Sequence, residues 1–566
     1  MITRSTLLLA LAFLAAATRV HAAPTVFLGD PEPGRISGTV EVGGEHRPVL
    51  PSAAGMIGPV AVVPGAVLRI GMAFARDGCP GGPPTDFRIE VATNRAPRTV
   101  FRRRLDPDVA CGRWTDAAVA LDPSAAGTAS FRFVVRATRA TDRGRALHAL
   151  WGDPAIVAPP SDRPPPNVIV ISFDTLGARH VGAYGYAYPT TPTLDGLAAD
   201  GTLFTTAVSH YPSTAGSHMT LFTGLLPAAH GVRGFGDELP RSIPTLPETL
   251  RAAGYLTAAV TEDFILSRGM GFARGFHAYR ENRTPAGATP GLARETLKRG
   301  LEWIASARRE PFFLFLHTYQ VHKPYRPPPG YVGLVRDGVT ADGASDEVNY
   351  DAEIRFADRL LGRFVARLRR DGVLDRTLLV VTGDHGDEFG EHGGEGHAKT
   401  LYDEVMRVPL VVRGPGIPPG LRVGARVGLA DVTPTVLELA GVTVPRDLDG
   451  RSLVPAFRGE ALPPRAIVAE VRGQLANARA PVNLRAVWLG DRKVIHDVTA
   501  SRWHAYDLTA DPREEHDLGE GVPEVTAARP VLARYDALGL GPNERPAAET
   551  PTPENLEKLR ALGYVE

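Results

Sequence analysis

The chain has 566 residues, 63 Lys and Arg against 63 Asp and Glu, and a formal net charge of zero. That balance, without any basic run, argues against a nucleic-acid footprint and gives no support to long-range electrostatic steering. The length leaves room for a large core and more than one domain; the 60 glycines and 50 prolines, spread throughout, suit a loop-rich enzyme better than a disordered chain.

Arg4 precedes an apolar run at 7–17, and Val20-His-Ala22 then offers small residues at the cleavage positions, so 1–22 reads as a signal peptide and the mature protein as periplasmic or extracellular. The run is too short for a permanent span, no cysteine near the cut offers a lipid anchor, and no later stretch is apolar for long enough to cross a membrane. The two cysteines, Cys79 and Cys111, are most simply a disulfide in an exported protein, with two buried thiols as the alternative. From 24 to 158 the pattern has period two, as in Val67-Leu-Arg-Ile-Gly-Met-Ala-Phe74 and Ser130-Phe-Arg-Phe-Val-Val-Arg136, with turn clusters between. This predicts a small antiparallel β-sandwich without a ligand constellation: a spacer or shielding domain, or a carbohydrate- or partner-binding one.

A proline-rich linker at 159–166 follows. From 167 to 445 strands alternate with helices. Asn167-Val-Ile-Val-Ile-Ser-Phe173, Leu256-Thr-Ala-Ala-Val260, Phe312-Phe-Leu-Phe-Leu316, Leu378-Leu-Val-Val381 and Val408-Pro-Leu-Val-Val412 read as strands, and 245–253, 292–308, 348–370 and 432–440 as helices. The alternation predicts an α/β fold with a doubly wound, mostly parallel sheet. Residues 446–566 read as a smaller α+β part, with a strand at 466–471 and a helical tail at 553–562.

The chemistry gathers at strand ends. Thr382-Gly-Asp-His-Gly386 follows a buried strand, and Asp174 ends another, the position where parallel sheets hold ligands. Carboxylates with an imidazole suit a divalent cation, although the same residues could cap turns or helices. Ser213, Thr214 and Ser217 stand ahead of an apolar helix, whose N-terminus suits an anion; a hydroxyl there could attack a phosphoryl or sulfuryl centre or could merely cap the helix.

Together these stretches resemble the sulfatase family of the alkaline phosphatase superfamily. The resemblance is carried in order by Asp174-Thr-Leu, Tyr184-Gly-Tyr with Thr191-Pro-Thr-Leu-Asp195, and Thr214-Ala-Gly-Ser-His218 with Leu221-Phe-Thr-Gly224 and His230-Gly-Val232. It continues through His322-Lys-Pro-Tyr325, Tyr350-Asp-Ala-Glu-Ile354, Gly383-Asp-His-Gly386, Lys399-Thr-Leu-Tyr-Asp-Glu404, Asp431-Val-Thr-Pro-Thr435 and Tyr506-Asp-Leu508. It implies an alkaline-phosphatase-like fold, one divalent metal (Ca, Zn or Mn) on Asp174, Asp384 and His385, and Thr214 as both nucleophile and metal contact. His322, Lys399 and His397 would bind oxyanion oxygens or assist the leaving group.

This chain departs from the family pattern at the nucleophile. Sulfate-ester hydrolases of the family carry Cys or Ser in Cys/Ser-x-Pro-x-Arg; the matching positions here are Thr214, Gly216 and His218. Threonine cannot become formylglycine, so that cofactor is not expected, and water must clear a threonine ester by attack at sulfur or phosphorus. Thr175 stands where many relatives have a second metal-binding Asp. The expectation is a metal-dependent hydrolase of a small-molecule, glycan- or lipid-linked anionic ester, with phosphate mono- or diester chemistry favoured over sulfate. The competing expectation is a non-catalytic binder of sulfated or phosphorylated glycans.

Overall fold

Asn167–Phe173 (β1) is buried at every residue, because sheet neighbours flank it and helices cover both faces. The structure, a computed structural model, describes residues 26–27, 39–50, 56–75, 82–93, 96–122, 127–138, 148–157, 164–262, 265–283, 291–307, 310–473 and 482–539. The signal segment at 1–22, Cys79, residues 159–163 of the linker and the helical tail at 553–562 lie outside them.

The remaining strands of the central sheet are Thr202–Phe204 (β2), Leu256–Glu262 (β3), Ala278–Asn282 (β4), Phe312–Thr318 (β5), Thr377–Gly383 (β6), Leu410–Arg413 (β7) and Leu421–Val423 (β8). Their spatial order is β8-β2-β7-β6-β1-β5-β3-β4. β6, β1, β5, β3 and β4 run parallel, whereas β7 is antiparallel to both β6 and β2. Ala293–Ala307 (α2) and Asp346–Arg370 (α3) cover one face. The Ser345 hydroxyl caps α3 by accepting from the Val348 amide at 3.3 Å, and a stripe at helical spacing, Ile354, Ala357, Leu360, Leu361 and Phe364, is buried. Thr214–Thr223 (α1) packs on the other face.

The N-terminal strands form two antiparallel sheets. One holds Met56–Val62, Gly127–Ala137, Thr85–Ala92 and Arg98–Leu105; the other holds Glu45–Leu50, Ala149–Val157, Val67–Phe74 and Thr115–Ala120. Trp151 is wholly buried between them, edge-on to Phe87 and Phe133. The second sheet is not separate: Glu45–Leu50 pairs antiparallel with β4, Tyr279 opposite His46, so one sheet runs through both parts. Period-two patterning alone gave no hint of that join. Cys111 is exposed and caps a short helix, Pro107–Ala110.

At the C-terminal end, Ala466–Gly473, Val482–Leu489, Arg492–Asp497 and Arg502–Asp507 form a second antiparallel sheet. Pro523–Asp536, a helix absent from the sequence expectation, covers it with Val525, Ala528, Leu532 and Tyr535. Lys493 ties this sheet to the short helix Asp403–Met406. Its buried ammonium lies 2.9 Å from Asp403 Oδ1 and 2.7 Å from Glu514 Oε1.

Candidate active site

Three strands deliver acidic or imidazole side chains to one point. Asp174 follows β1, and its amide is anchored on the Thr318 carbonyl at 3.0 Å. Asp384 and His385 follow β6, and His317 stands within the carboxyl end of β5. The tight turns depend on missing side chains: a Cβ on Gly383 would sit 2.2 Å from the Leu176 carbonyl oxygen, and one on Gly386 2.2 Å from that of Glu404.

Thr175 has φ of 56°, a left-handed conformation that costs a β-branched residue about 1–3 kcal/mol. Three hydrogen bonds hold it there. Its amide donates to Asp384 Oδ1 (3.0 Å), its hydroxyl to the Val321 carbonyl (3.0 Å), and its carbonyl accepts from the Tyr350 hydroxyl (2.6 Å). The Gly177 amide also donates to that hydroxyl at 3.0 Å.

At the start of α1 the helix-capping alternative fails. Ser213 occupies the N-cap without a side-chain cap bond, and its hydroxyl donates to the Arg233 carbonyl at 3.4 Å. The Thr214 hydroxyl donates to Asp174 Oδ2 at 3.0 Å, and Ser217 Oγ lies 3.5 Å from Asp384 Oδ2. His218, one turn on, bonds the Thr214 carbonyl through Nδ1 (2.8 Å) and Ser172 Oγ through Nε2 (2.9 Å). If Nδ1 is the donor, Nε2 accepts from Ser172. Burial pushes the His218 and His317 imidazoles down to about 3, so both are neutral.

The donor set fits a divalent cation. One ligand atom each from Asp174, Asp384 and His385 lies within 4.8 Å of the others. Asp174 Oδ1 and His385 Nε2 are buried with no hydrogen-bond partner among the described residues, as expected of atoms reserved for an ion. Burial pushes the Asp174 carboxyl up, the strain of an uncompensated charge that a cation would remove. Burial also presses the His385 pKa down, but Asp384 and Asp174 outweigh it and leave the group raised.

A second row of groups lines the same place. His397 Nδ1 is 2.6 Å from Asp387 Oδ1, and the Tyr325 hydroxyl donates to Asp387 Oδ2. The His397 ring is 4.5 Å from that of His385 and 5.1 Å from that of His322. His322 bonds the Lys323 carbonyl through Nδ1 at 2.6 Å, and burial lowers its pKa. Asp387 is also buried, yet His397 and then His322 hold it below the usual carboxylate range.

Of the sequence candidates, Asp174, Thr214, His218, Asp384, His385, His322 and His397 converge. Lys399 stands apart: its ammonium donates to the Glu395 carbonyl at 3.1 Å, its single hydrogen bond among the described residues. His317 was missed as a site residue. Its Nε2 is 3.2 Å from Asp174 Oδ2, and it sits at the end of an apolar strand, the same signal that singled out Asp174. Tyr325 and Tyr350 stand in motifs that carried the resemblance and Asp387 follows the Asp384-His-Gly turn, but nothing in the sequence showed that they brace these turns.

The family description "Sulfatase" matches residues 166–442, and "N-sulphoglucosamine sulphohydrolase, C-terminal" matches 390–528. Residues 166–442 are thus similar to the sulfatase family, and the chain is a sulfatase-like ester hydrolase. Arylsulfatase A of Bos taurus is 28% identical to it over 498 residues, 72% of this chain and 96% of that one. Two solved structures share the fold. The phosphonate monoester hydrolase of Agrobacterium radiobacter has a TM-score of 0.55 at 22% identity, covering 68% of this chain and 100% of that one. A protein in complex with its substrate D-glucosamine-2-N,6-O-disulfate has a TM-score of 0.55 at 20% identity, covering 66% and 97%. Among the described residues no helix is long and apolar enough to cross a membrane.

Proposed function

We propose that this sulfatase-like chain hydrolyses an anionic ester carried on a glycan or lipid, with Thr214 as nucleophile and one divalent cation held by Asp174, Asp384, His385 and the Thr214 hydroxyl. Bound there, the cation would lower the pKa of a coordinated hydroxyl and offset charge developing on the ester oxygens. The observation that carries the reading is the 3.0 Å bond from the Thr214 hydroxyl to Asp174 Oδ2 at the mouth of α1. Thr214 gives its hydroxyl proton to water, its Oγ1 attacks phosphorus or sulfur, the bond to the leaving alkoxide breaks, and the alkoxide takes a proton. His397, oriented by Asp387 as a base is oriented in a hydrolytic triad, is the proposed donor, and His322 the proposed oxyanion contact. Water then attacks the same centre and returns Thr214 to its hydroxyl form. His218, occupying the arginine position of the sulfatase motif, is neutral and fixes the Thr214 carbonyl instead of clamping an anion. Lys399 has no role in this reading unless its side chain turns from Glu395.

Because threonine cannot act as formylglycine does, phosphate mono- and diesters or phosphonate monoesters are the favoured substrates, with sulfate esters next. The phosphonate monoester hydrolase fold and the disulfated sugar bound by the other neighbour support that range. The apolar run at 7–17 supports export, and export supports a Cys79–Cys111 bridge. The test is turnover of chromogenic phosphate, phosphonate and sulfate esters by the metal-supplemented protein and by Thr214→Ala. Turnover lost in the variant, with its metal content kept, is expected. Full activity in the variant removes Thr214 from the mechanism, and no turnover of any ester alongside glycan binding replaces the enzyme with a binder.

A further inference from the structure

Where the N-terminal strands join the central sheet, a cleft of about 340 Å3 opens between Glu45–Leu50, the loop at 113–114, β3, β4 and α2. Most of its N-terminal wall lies outside the residues matched by the sulfatase family. The register partners Ala258 and Ala278 form the floor, and their single methyl groups leave the volume open.

Two indoles line the cleft. Trp114 is fixed: it lies so close to Gly71 and Gly152 that a Cβ on either would come within 3.1 and 2.3 Å of its ring, and its Nε1 donates to the Glu45 carbonyl at 3.2 Å. Trp303, on α2, stands edge-on to Phe312 with centroids 5.6 Å apart. Around them stand Arg113, Arg280 and Arg299. Arg47 is already neutralised between Glu45 and Asp116. Arg280 is not so well served: its Nε donates to Asn282 Oδ1 at 3.3 Å, and its nearest carboxylate, Glu45, is 3.9 Å away. Burial first, then repulsion by Arg299, holds its pKa below the usual guanidinium value. Arg299 is already paired with Glu295 at 2.5 Å and with Glu302, on the same wall, at 2.8 Å, so Arg280 and Arg113 are the cations left to meet an anion, and a planar guanidinium meets a sulfate or carboxylate with two parallel bonds. Arg47 stands over the Trp114 ring at 5.1 Å, so Trp303 is the indole left to offer apolar surface to a pyranose ring. The volume, at the lower end of the ~300–1,000 Å3 typical of ligand pockets, matches about one sugar unit.

We propose that this cleft is a second saccharide site, for a sugar unit bearing a sulfate or carboxylate, that holds a glycan chain to the enzyme apart from the ester being cleaved. It rests on the reading of the substrate as a glycan-linked ester. The cleft lies on the α2 face of the sheet, with β5 between its floor strand β3 and the strand β1 that carries Asp174.

The test is calorimetric titration of D-glucosamine-2-N,6-O-disulfate into Thr214→Ala, alone and combined with Arg280→Gln or Trp303→Ala, with N-acetylglucosamine as the uncharged control. The expected result is two equivalents bound by Thr214→Ala, one of them weakened at least about tenfold by either added substitution. Arg280→Gln alone keeps wild-type turnover of a small chromogenic ester. One equivalent in Thr214→Ala that Arg280→Gln removes still supports the cleft, while showing that the catalytic centre does not take this sugar. Unchanged titrations in both double variants, no binding at all, or an equal response to N-acetylglucosamine overturns the proposal. Both substitutions lie on the cleft wall, and a melting temperature within a degree or two of the parent separates lost binding from lost fold.

Discussion

The Thr214 hydroxyl reaches Asp174 Oδ2 across 3.0 Å, joining the first turn of a buried helix to the end of the central strand. Thr214→Ala removes the oxygen proposed to attack, without adding bulk. Turnover should fall by about a thousandfold or more, while Thr214→Ser, which keeps the oxygen, retains measurable activity. Steady-state kinetics on the three proteins checks this.

A cation held as proposed would brace the fold as well as serve the chemistry, so its removal should weaken both. Asp174 and Asp384 are both fully buried, and without an ion their carboxylates face each other's charge. Dialysis against a chelator should lower Tm and abolish activity together, and one equivalent of the right divalent ion should restore both. Elemental analysis beside calorimetry reads the stoichiometry.

Tyr350→Phe removes a hydroxyl that serves the Thr175 carbonyl and the Gly177 amide at once. Two buried backbone groups lose their partner, at a cost of about 1–3 kcal/mol, and the strained turn beside Asp174 loosens. Stability to urea should drop, and kcat should fall more than KM changes.

Glu262 accepts from the Thr296 hydroxyl and the Leu292 and Tyr319 amides, yet burial raises its carboxyl from 4.5 to about 7. Between those values the folded protein holds a proton that the unfolded chain has released. This contribution is therefore complete below about pH 4.5 and is lost as pH rises through 7, a change of up to about 3 kcal/mol. Melting temperature should decline across that window in the wild type and decline less in Glu262→Gln.

Lys493→Met leaves Asp403 and Glu514 buried side by side without their shared cation. Breaking such a cluster from one side costs about 3–5 kcal/mol. Chemical denaturation should show that loss, and Lys493→Arg should recover only part of it, since the pocket holds a point charge between two carboxylates and beside the Trp488 ring.

The strands that matter most were legible because burial on both faces makes them continuous apolar runs, and their ends then name Asp174, Asp384 and His385. The helices followed from their stripes to within a few residues; α3 begins at Asp346, two residues before the expected start. Ala278–Asn282 was not legible, since Arg280, Glu281 and Asn282 break any apolar pattern and the strand exists through its pairing with Leu256–Glu262. Pro523–Asp536 escaped because Pro530 stands within it, although Val525, Ala528, Leu532 and Tyr535 keep a helical spacing. The motif could name Lys399 but not its side-chain direction, which is set where Ala398 turns through a φ of 66°.

The join of Glu45–Leu50 to Ala278–Asn282 bears on how the enzyme could be trimmed. A version starting at 164 would bare the peptide groups of Ala278–Asn282 along a naked border, an invitation to strand-to-strand aggregation. The described strands between 39 and 157 thus behave as a hem on the catalytic sheet, and expression without them should yield oligomers instead of a smaller soluble enzyme.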